Sequence, residues 1–228
     1  MPAPIQSLPP ASKRRKIEQK FSALSTSIQQ LEINLIAALN DNASLNPLAD
    51  LLHLTLASKT PQDTSKAIYA LYRLFVLIIA RDRLGFAHDD AAKVVKAWLW
   101  DRLNTFVDYL GGLLKDEEKS LRVSNVLLPP KCYQQFPLQT SALEILFSLQ
   151  KHLSTSYSKS SPSQPQFHTS HFRKIISFLL LCPKPTCPQQ KNASANTTTI
   201  DPDVLHHFHE TWFSVHDDVR WFFLRDAA

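Results

Sequence analysis

The chain has 228 residues, 44% of them hydrophobic and 20% charged, with 15 prolines, 3 cysteines, 3 glycines and a formal net charge of +5. Its apolar content excludes a wholly disordered chain. Its glycine shortage argues against sheet and phosphate-binding α/β folds, which place glycine in hairpin turns, bulges and phosphate loops.

Three cysteines make no disulfide framework and fit a reducing compartment. The charge is unevenly placed. Residues 1–20 hold Lys13, Arg14, Arg15, Lys16 and Lys20 against Glu18, so the rest of the chain nets only +1. The basicity therefore belongs to a tail and not to a groove. Residues 1–14 are expected to be a disordered basic head. In an extended, Pro-flanked segment, Lys13, Arg14, Arg15 and Lys16 suit the acidic groove of a nuclear-import receptor. The alternative is a solvated basic helix start, which the helix macrodipole disfavours. No apolar h-region stands among the first twenty residues, so no secretory leader is expected.

From about Ile17 the apolar period becomes helical, with Phe21, Leu24, Ile28, Leu31, Leu35 and Leu39 three or four residues apart. Asp41 and Asn42 end this helix. Leu48, Leu51, Leu52, Leu54 and Leu56 predict a shorter one. Thr60 to Asp63 reads as a turn with an N-cap, leading into a strongly apolar helix through Ile68, Leu71, Tyr72, Phe75, Ile78 and Ile79. The run from Ile68 to Ala80 is broken by Arg73 and is shorter than the roughly 18 residues needed to span a bilayer, so it reads as a buried helix with no membrane partner. Gly85 closes the next turn.

Asp89 and Asp90 open a long helix, placing acids at its positive end. Its stripe is Val95, Trp98, Leu99, Leu103, Phe106, Leu110 and Leu113. Further helices are predicted over 142–153, 171–182 and 204–213, and from Val219 onward. Residues 123–139, 154–169 and 183–199 read as loops. Residues 15–228 thus form one all-α unit of antiparallel helix hairpins. A HEAT/armadillo-like α-solenoid is expected, with a compact helical bundle as the alternative.

His206, His207, His209 and His216 invite a metal site. On a helix, however, only His206 and His209 share a face. Cys182 and Cys187 lack the tight spacing of zinc motifs, so no metal is expected. No nucleophile elbow, phosphate loop, dinucleotide fingerprint or kinase signature is present, and the chain reads as a non-enzyme without a cofactor. Trp98 and Trp212 lie on apolar stripes, where packing is the usual role. Trp100 must face elsewhere, which makes it the candidate for a partner contact.

Four blocks carry a resemblance: Trp98 to Leu103 continuing to Leu114, Ser141 to Leu149, Phe172 to Ile176, and Asp218 to Leu224. Together they resemble the N-terminal region of the nucleolar complex protein 4 family, a branch of the CCAAT-binding-factor (CBF) family, in a fungal form. The resemblance spans about residues 15–228. It implies a helical-repeat scaffold of the nucleus and nucleolus. Such a scaffold would pair with a nucleolar protein 14-like partner on the pre-ribosomal particle and act in 18S rRNA processing and 40S assembly and export. It implies no catalytic residues. The family's CBF domain is expected beyond residue 228, and Val219, Phe222 and Phe223 are expected to need a covering surface, leaving the C-terminal end loosely packed. A sequence-neutral RNA-binding module is the alternative function. A steep salt dependence surviving deletion of residues 1–20 would mark it. A metal-dependent hydrolase would instead show stoichiometric zinc.

Residues 123–139 interrupt a pattern that is otherwise one helix. Without these 17 residues, Ala142, Ile145, Leu146, Leu149 and Leu153 follow Leu121 in continuous helical register. The segment opens on Val123-Ser124 and closes on Gln139, residues that splice-border codons encode, so it reads as a retained in-frame intron. A real surface insertion is the alternative, since loops accept insertions cheaply. Sequencing of the mature transcript is expected to show a dominant form lacking these 51 nucleotides. A dominant form that carries them overturns the intron reading and makes Cys132 and Tyr133 contact candidates.

Overall fold

The computed structural model describes residues 11–58, 60–85, 89–115, 138–160, 166–180, 200 and 202–227, with side chains in the first helix from Ser25 on. Eight α-helices occur among the described residues. They are α1 (Ala11–Asn40), α2 (Pro47–Leu56), α3 (Pro61–Ala80), α4 (Asp90–Lys115), α5 (Leu138–Ser160), α6 (Thr169–Leu180), α7 (Pro202–Phe208) and α8 (Asp217–Ala227). A single π-helical turn, His209–Phe213, follows α7 directly. No strand occurs among the described residues, and the expected all-α class is the one observed. The chain divides into two compact units, residues 1–71 and 72–228, with the boundary inside α3.

In the first unit α1 and α2 pack together. Ile28, Leu35 and Leu39 of α1 are buried, as are Leu48, Leu51 and Leu52 of α2 and Ala67, Ile68, Ala70 and Leu71 of α3. α1 ends at the expected place by a Schellman-type closure. Asn42 takes a left-handed φ of 53°, and the Ala43 N–H reaches the Ala38 carbonyl at 2.8 Å. α2 opens on Pro47, whose missing N–H is one that a first turn cannot use. At the start of α3, the Asp63 N–H donates to Thr60 Oγ1 (3.2 Å), and that hydroxyl donates to the Asp63 carboxylate (2.8 Å). This reciprocal cap is the turn read from Thr60 to Asp63. Lys66 Nζ reaches Ser25 Oγ at 2.8 Å, tying α3 to α1.

The start of α1 differs from expectation. The backbone is helical from Ala11, so Lys13, Arg14, Arg15 and Lys16 lie in the first turns of α1 and not in an extended head reaching residue 14. The last prolines of this region are Pro9 and Pro10, and a run of good helix formers follows them. Residues 1–10 lie outside the described residues.

In the second unit one face of α4 carries the packing. Leu99, Leu103, Phe106, Val107, Leu110, Leu113 and Leu114 are buried against α5 and α6. Phe106 stacks on Phe75 of α3 at 5.5 Å, and the Tyr72 and Ser148 hydroxyls meet at 2.6 Å between α3 and α5. Val95, expected on the stripe, is exposed, and Trp98 is half-buried beneath the Arg102 guanidinium, 5.8 Å from its ring. At the α3–α4 turn, Asp82 takes the left-handed backbone (φ 56°) and Gly85 does not. At Gly85 an added Cβ would instead meet the carboxylate of exposed Asp82, which would have to swing aside. Asp89 caps α4 by accepting the Ala92 N–H at 2.6 Å, as its sequence position suggests.

The apolar register inferred for α5 holds, with Ala142, Ile145, Leu146, Leu149 and Leu153 all buried. Residues 123–137 of the inferred insert lie outside the described residues, and Leu138 and Gln139 already belong to α5. The loop expected over 154–169 is shorter than read, because α5 continues to Ser160. Its hydroxyls bond back to carbonyls one turn earlier, Thr155 to Lys151 (2.8 Å) and Ser158 to Ser154 (2.9 Å). Satisfied in this way, they cease to compete with the helical backbone. The expected loop 183–199 lies outside the described residues, as do Cys182 and Cys187.

At Gly111, α4 comes close against the Phe178 ring of α6. A Cβ at this position would lie 2.6 Å from the Phe178 ring, whereas a Cβ at Gly112 would meet nothing. The two neighbours should therefore respond oppositely to alanine. Gly111→Ala is expected to destabilise by about 1–3 kcal/mol through overpacking. Gly112→Ala is expected to stabilise by about 0.5–1 kcal/mol through helix propensity. Thermal melts of the two variants check this, and a shift of the same sign in both would refute the close approach.

Candidate functional site

The C-terminal half of the second unit is an aromatic cluster with an exposed rim. Phe147 of α5 stacks on Trp212 (centroids 4.5 Å apart) and on Phe208 (5.7 Å), and meets Phe172 of α6 edge-on. Phe167, just before α6, stacks on Phe222 of α8 at 4.1 Å. Phe223 of α8 contacts Phe208 and Phe213. The π turn is part of this arrangement. A helix was expected to run unbroken from 204 to 213, but the Ser214 N–H reaches back five residues to the His209 carbonyl at 2.9 Å. The wider turn brings both Trp212 and Phe213 into ring contacts, one with α5 and the other with α8.

Val219, Phe222 and Phe223 were expected to need a covering surface, and they find one inside the chain. Val219 is buried, and the two phenylalanines are half-buried against Phe167, Phe172, Phe208 and Phe213. Charge adds to this seam, since Asp226 accepts two bonds from Arg225 (2.9 and 3.1 Å) and lies 3.4 Å from Arg173 of α6. The hydrogen bond from Arg225 and the nearby Arg173 hold its carboxyl below the usual aspartate value. What stays exposed is the opposite face. Trp221 and Leu224 are about 60% exposed (58% and 63%), and Val215 and Leu205 are open nearby in sequence. Arg225 lies over the Trp221 ring at 5.0 Å.

Each residue singled out from the sequence has a definite placement. Trp100 is half-buried, with its indole N–H on the Leu84 carbonyl (3.3 Å) and its ring stacked on His168 (5.6 Å). Its chemistry is thus used within the chain, and Trp221 is the tryptophan that the fold leaves outside. The helical wheel held a signal for this. Trp221 and Leu224 stand three residues apart, off the face shared by Val219, Phe222 and Phe223. The side chains of Lys13, Arg14, Arg15 and Lys16 lie outside the described residues.

The histidines do not converge. His206 pairs with Glu210 (3.2 Å), and His207 lies 3.4 Å from Glu144 and edge-on to Trp212. His209 stacks on Phe213 instead. Among the described residues no group of three or more histidines, cysteines or carboxylates is placed to hold a metal ion. No helix of the described residues is long and apolar enough to cross a membrane.

A family model described as nucleolar complex protein 4-like, TPR repeats, matches residues 18–228. Neither a curated protein nor a solved structure matches the chain. The helical-repeat architecture expected from the sequence is thereby shown, with the repeat named as TPR where a HEAT or armadillo type was expected.

The cluster and its rim should separate in mutagenesis. Phe147→Ala removes a buried ring that touches three others, and is expected to cost about 3–5 kcal/mol. Trp221→Ala removes an exposed ring and is expected to change stability by no more than about 0.5 kcal/mol. Urea denaturation of the two variants gives the comparison. Equal losses would mean that Trp221 belongs to the folded core.

Proposed function

This chain belongs to the nucleolar complex protein 4-like family, and on that premise we propose that it is a non-catalytic scaffold of nucleolar ribosome assembly. The family match over residues 18–228 carries the reading, and it suggests a nuclear and nucleolar role in ribosome biogenesis within a protein complex. Within that role, the chain supports 18S rRNA processing and 40S assembly and export. Its partners are a nucleolar protein 14-like protein and the pre-ribosomal particle. The described polar side chains fit a scaffold. Thr60, Asp63 and Asp89 cap helices, while Lys174, Asp108, Arg173 and Asp226 pair across helix contacts. These groups hold helices in register, which supports the scaffold reading.

The reading predicts a specific lesion. Depletion of the full-length protein is expected to accumulate unprocessed 18S precursors while large-subunit rRNA matures normally. A tagged full-length protein is expected to co-purify the nucleolar protein 14-like partner. Normal 18S maturation together with a large-subunit defect would sink the proposal.

Entry into the nucleus is assigned to Lys13, Arg14, Arg15 and Lys16, whose backbone opens α1, so that the receptor would take the basic run from a helix start and not from an extended head. Replacing all four by alanine is expected to leave the melting temperature unchanged and to lower nuclear accumulation of a fluorescent fusion. A fusion that remains nuclear in cells lacking the partner removes the import role.

A further inference from the structure

α6 is capped at its N-terminus by a histidine. The His168 carbonyl accepts the Phe172 N–H at 3.3 Å, which makes His168 the N-cap residue. Its Nδ1 accepts the His171 N–H at 3.3 Å, the bond that Ser, Thr or Asp usually supplies. An accepting Nδ1 requires a neutral imidazole with its proton on Nε2. The same residue holds α6 to its neighbours. Its N–H donates to Ser154 Oγ on α5 at 3.1 Å, its ring stacks on Trp100 of α4, and Tyr157 of α5 meets it edge-on at 5.0 Å. Three residues on, buried His171 bonds the Leu146 carbonyl of α5 through Nε2 at 3.1 Å.

We infer that His168 is an acid-sensitive latch, whose neutral imidazole caps α6 and fastens it to α4 and α5, and whose protonation releases that end of the helix. Protonation removes the lone pair that accepts the His171 N–H. It also puts a cation at the positive end of a helix, in a buried place where charge is poorly solvated. Aromatic faces and backbone carbonyls surround the two rings, and burial outweighs what these give a cation. Trp100 faces the pair from α4, Tyr157, Ser154 and the Leu146 carbonyl from α5, and Lys174 from α6, itself held by Asn104 and Asp108 of α4. On α8, the Asp226 carboxylate is taken by Arg225 and Arg173. None of the described ion pairs places a carboxylate on either ring.

Burial lowers the pKa of both imidazoles, and takes His171 to about 4. The direction follows from linkage. A folded state that favours the neutral ring keeps its full contribution above the ordinary value of 6.5 and loses it as the pH falls through the folded value. Stability is therefore lost as the pH falls below 6.5, where the unfolded ring takes up its proton first, and the latch itself opens only where the folded His168 ring is protonated, below the ordinary histidine value.

The test uses the full chain and two substitutions at one position. His168→Asn keeps a capping side chain that does not titrate, and His168→Ala removes the cap. At pH 7.5, His168→Asn keeps the cap but loses the ring contacts and is expected to melt roughly 1–6 °C below wild type, with His168→Ala roughly 2–4 °C lower again. From pH 6.5 to 4.5, wild type is expected to lose more of its melting temperature than His168→Asn. His152 of α5, also lowered by burial, titrates equally in both and cancels in the comparison. Equal acid losses in wild type and His168→Asn overturn the latch. Ring NMR of wild type is the check that needs no variant. A neutral Nε2–H ring with a pKa below 6.5 supports the latch, and a His168 ring that titrates at 6.5 or above overturns it.

Discussion

Burial of one face of α4 is the interaction on which the second unit depends. Leu99, Leu103, Phe106, Leu110 and Leu114 recur at helical spacing and are almost wholly excluded from solvent. α5 and α6 pack on this face, and each buried aliphatic side chain contributes on the order of 1.5–3 kcal/mol by leaving water. The cost of so continuous a face is steric, because two helices can share it only if one of them comes close. Gly111 supplies that approach by leaving room for the Phe178 ring. Glycine is scarce in this chain, and here it serves helix–helix contact and not backbone freedom.

The same scarcity shaped the turns. Helices usually leave through a left-handed residue, and glycine is its default occupant. Here Asn42 and Asp82 take those positions, and none of the three glycines has a positive φ. Asn and Asp tolerate this conformation because their short polar side chains bond locally. A glycine-poor helical chain can therefore close its turns without becoming a sheet protein. The unusual cap of α6 follows a similar logic, since His168 does with a ring nitrogen what a hydroxyl or carboxylate does elsewhere. Its ring is also large enough to stack on Trp100.

The C-terminal cluster shows why the candidate surface was harder to read than the core. Periodicity marked Val219, Phe222 and Phe223 as apolar but could not say what would cover them. The π turn supplies part of the answer by bringing Phe213 against Phe223, and Phe167 supplies the rest by stacking on Phe222. Trp100 is the converse. Its position off the stripe made it the candidate for a partner contact, and within the chain a carbonyl at Leu84 and a ring at His168 engage it. Contacts between residues far apart in sequence decide such cases, and spacing along one helix does not register them.

The sequence by itself determined the helical class, the core face of each long helix and most of the helix boundaries. These are local properties, set by a period near 3.6, by caps such as Asp89 and by first-turn prolines such as Pro61. Its ordered blocks also pointed to the family that the chain belongs to. Only the tertiary structure decided where that local reading stops. It carried α5 through a Ser/Thr-rich stretch whose hydroxyls find carbonyls one turn back. It inserted a π turn where an α-helix was expected, and it turned Trp221 outward while engaging Trp100. In each case the deciding partner belongs to another element or to another turn of the helix, and its energy enters only after the chain has packed.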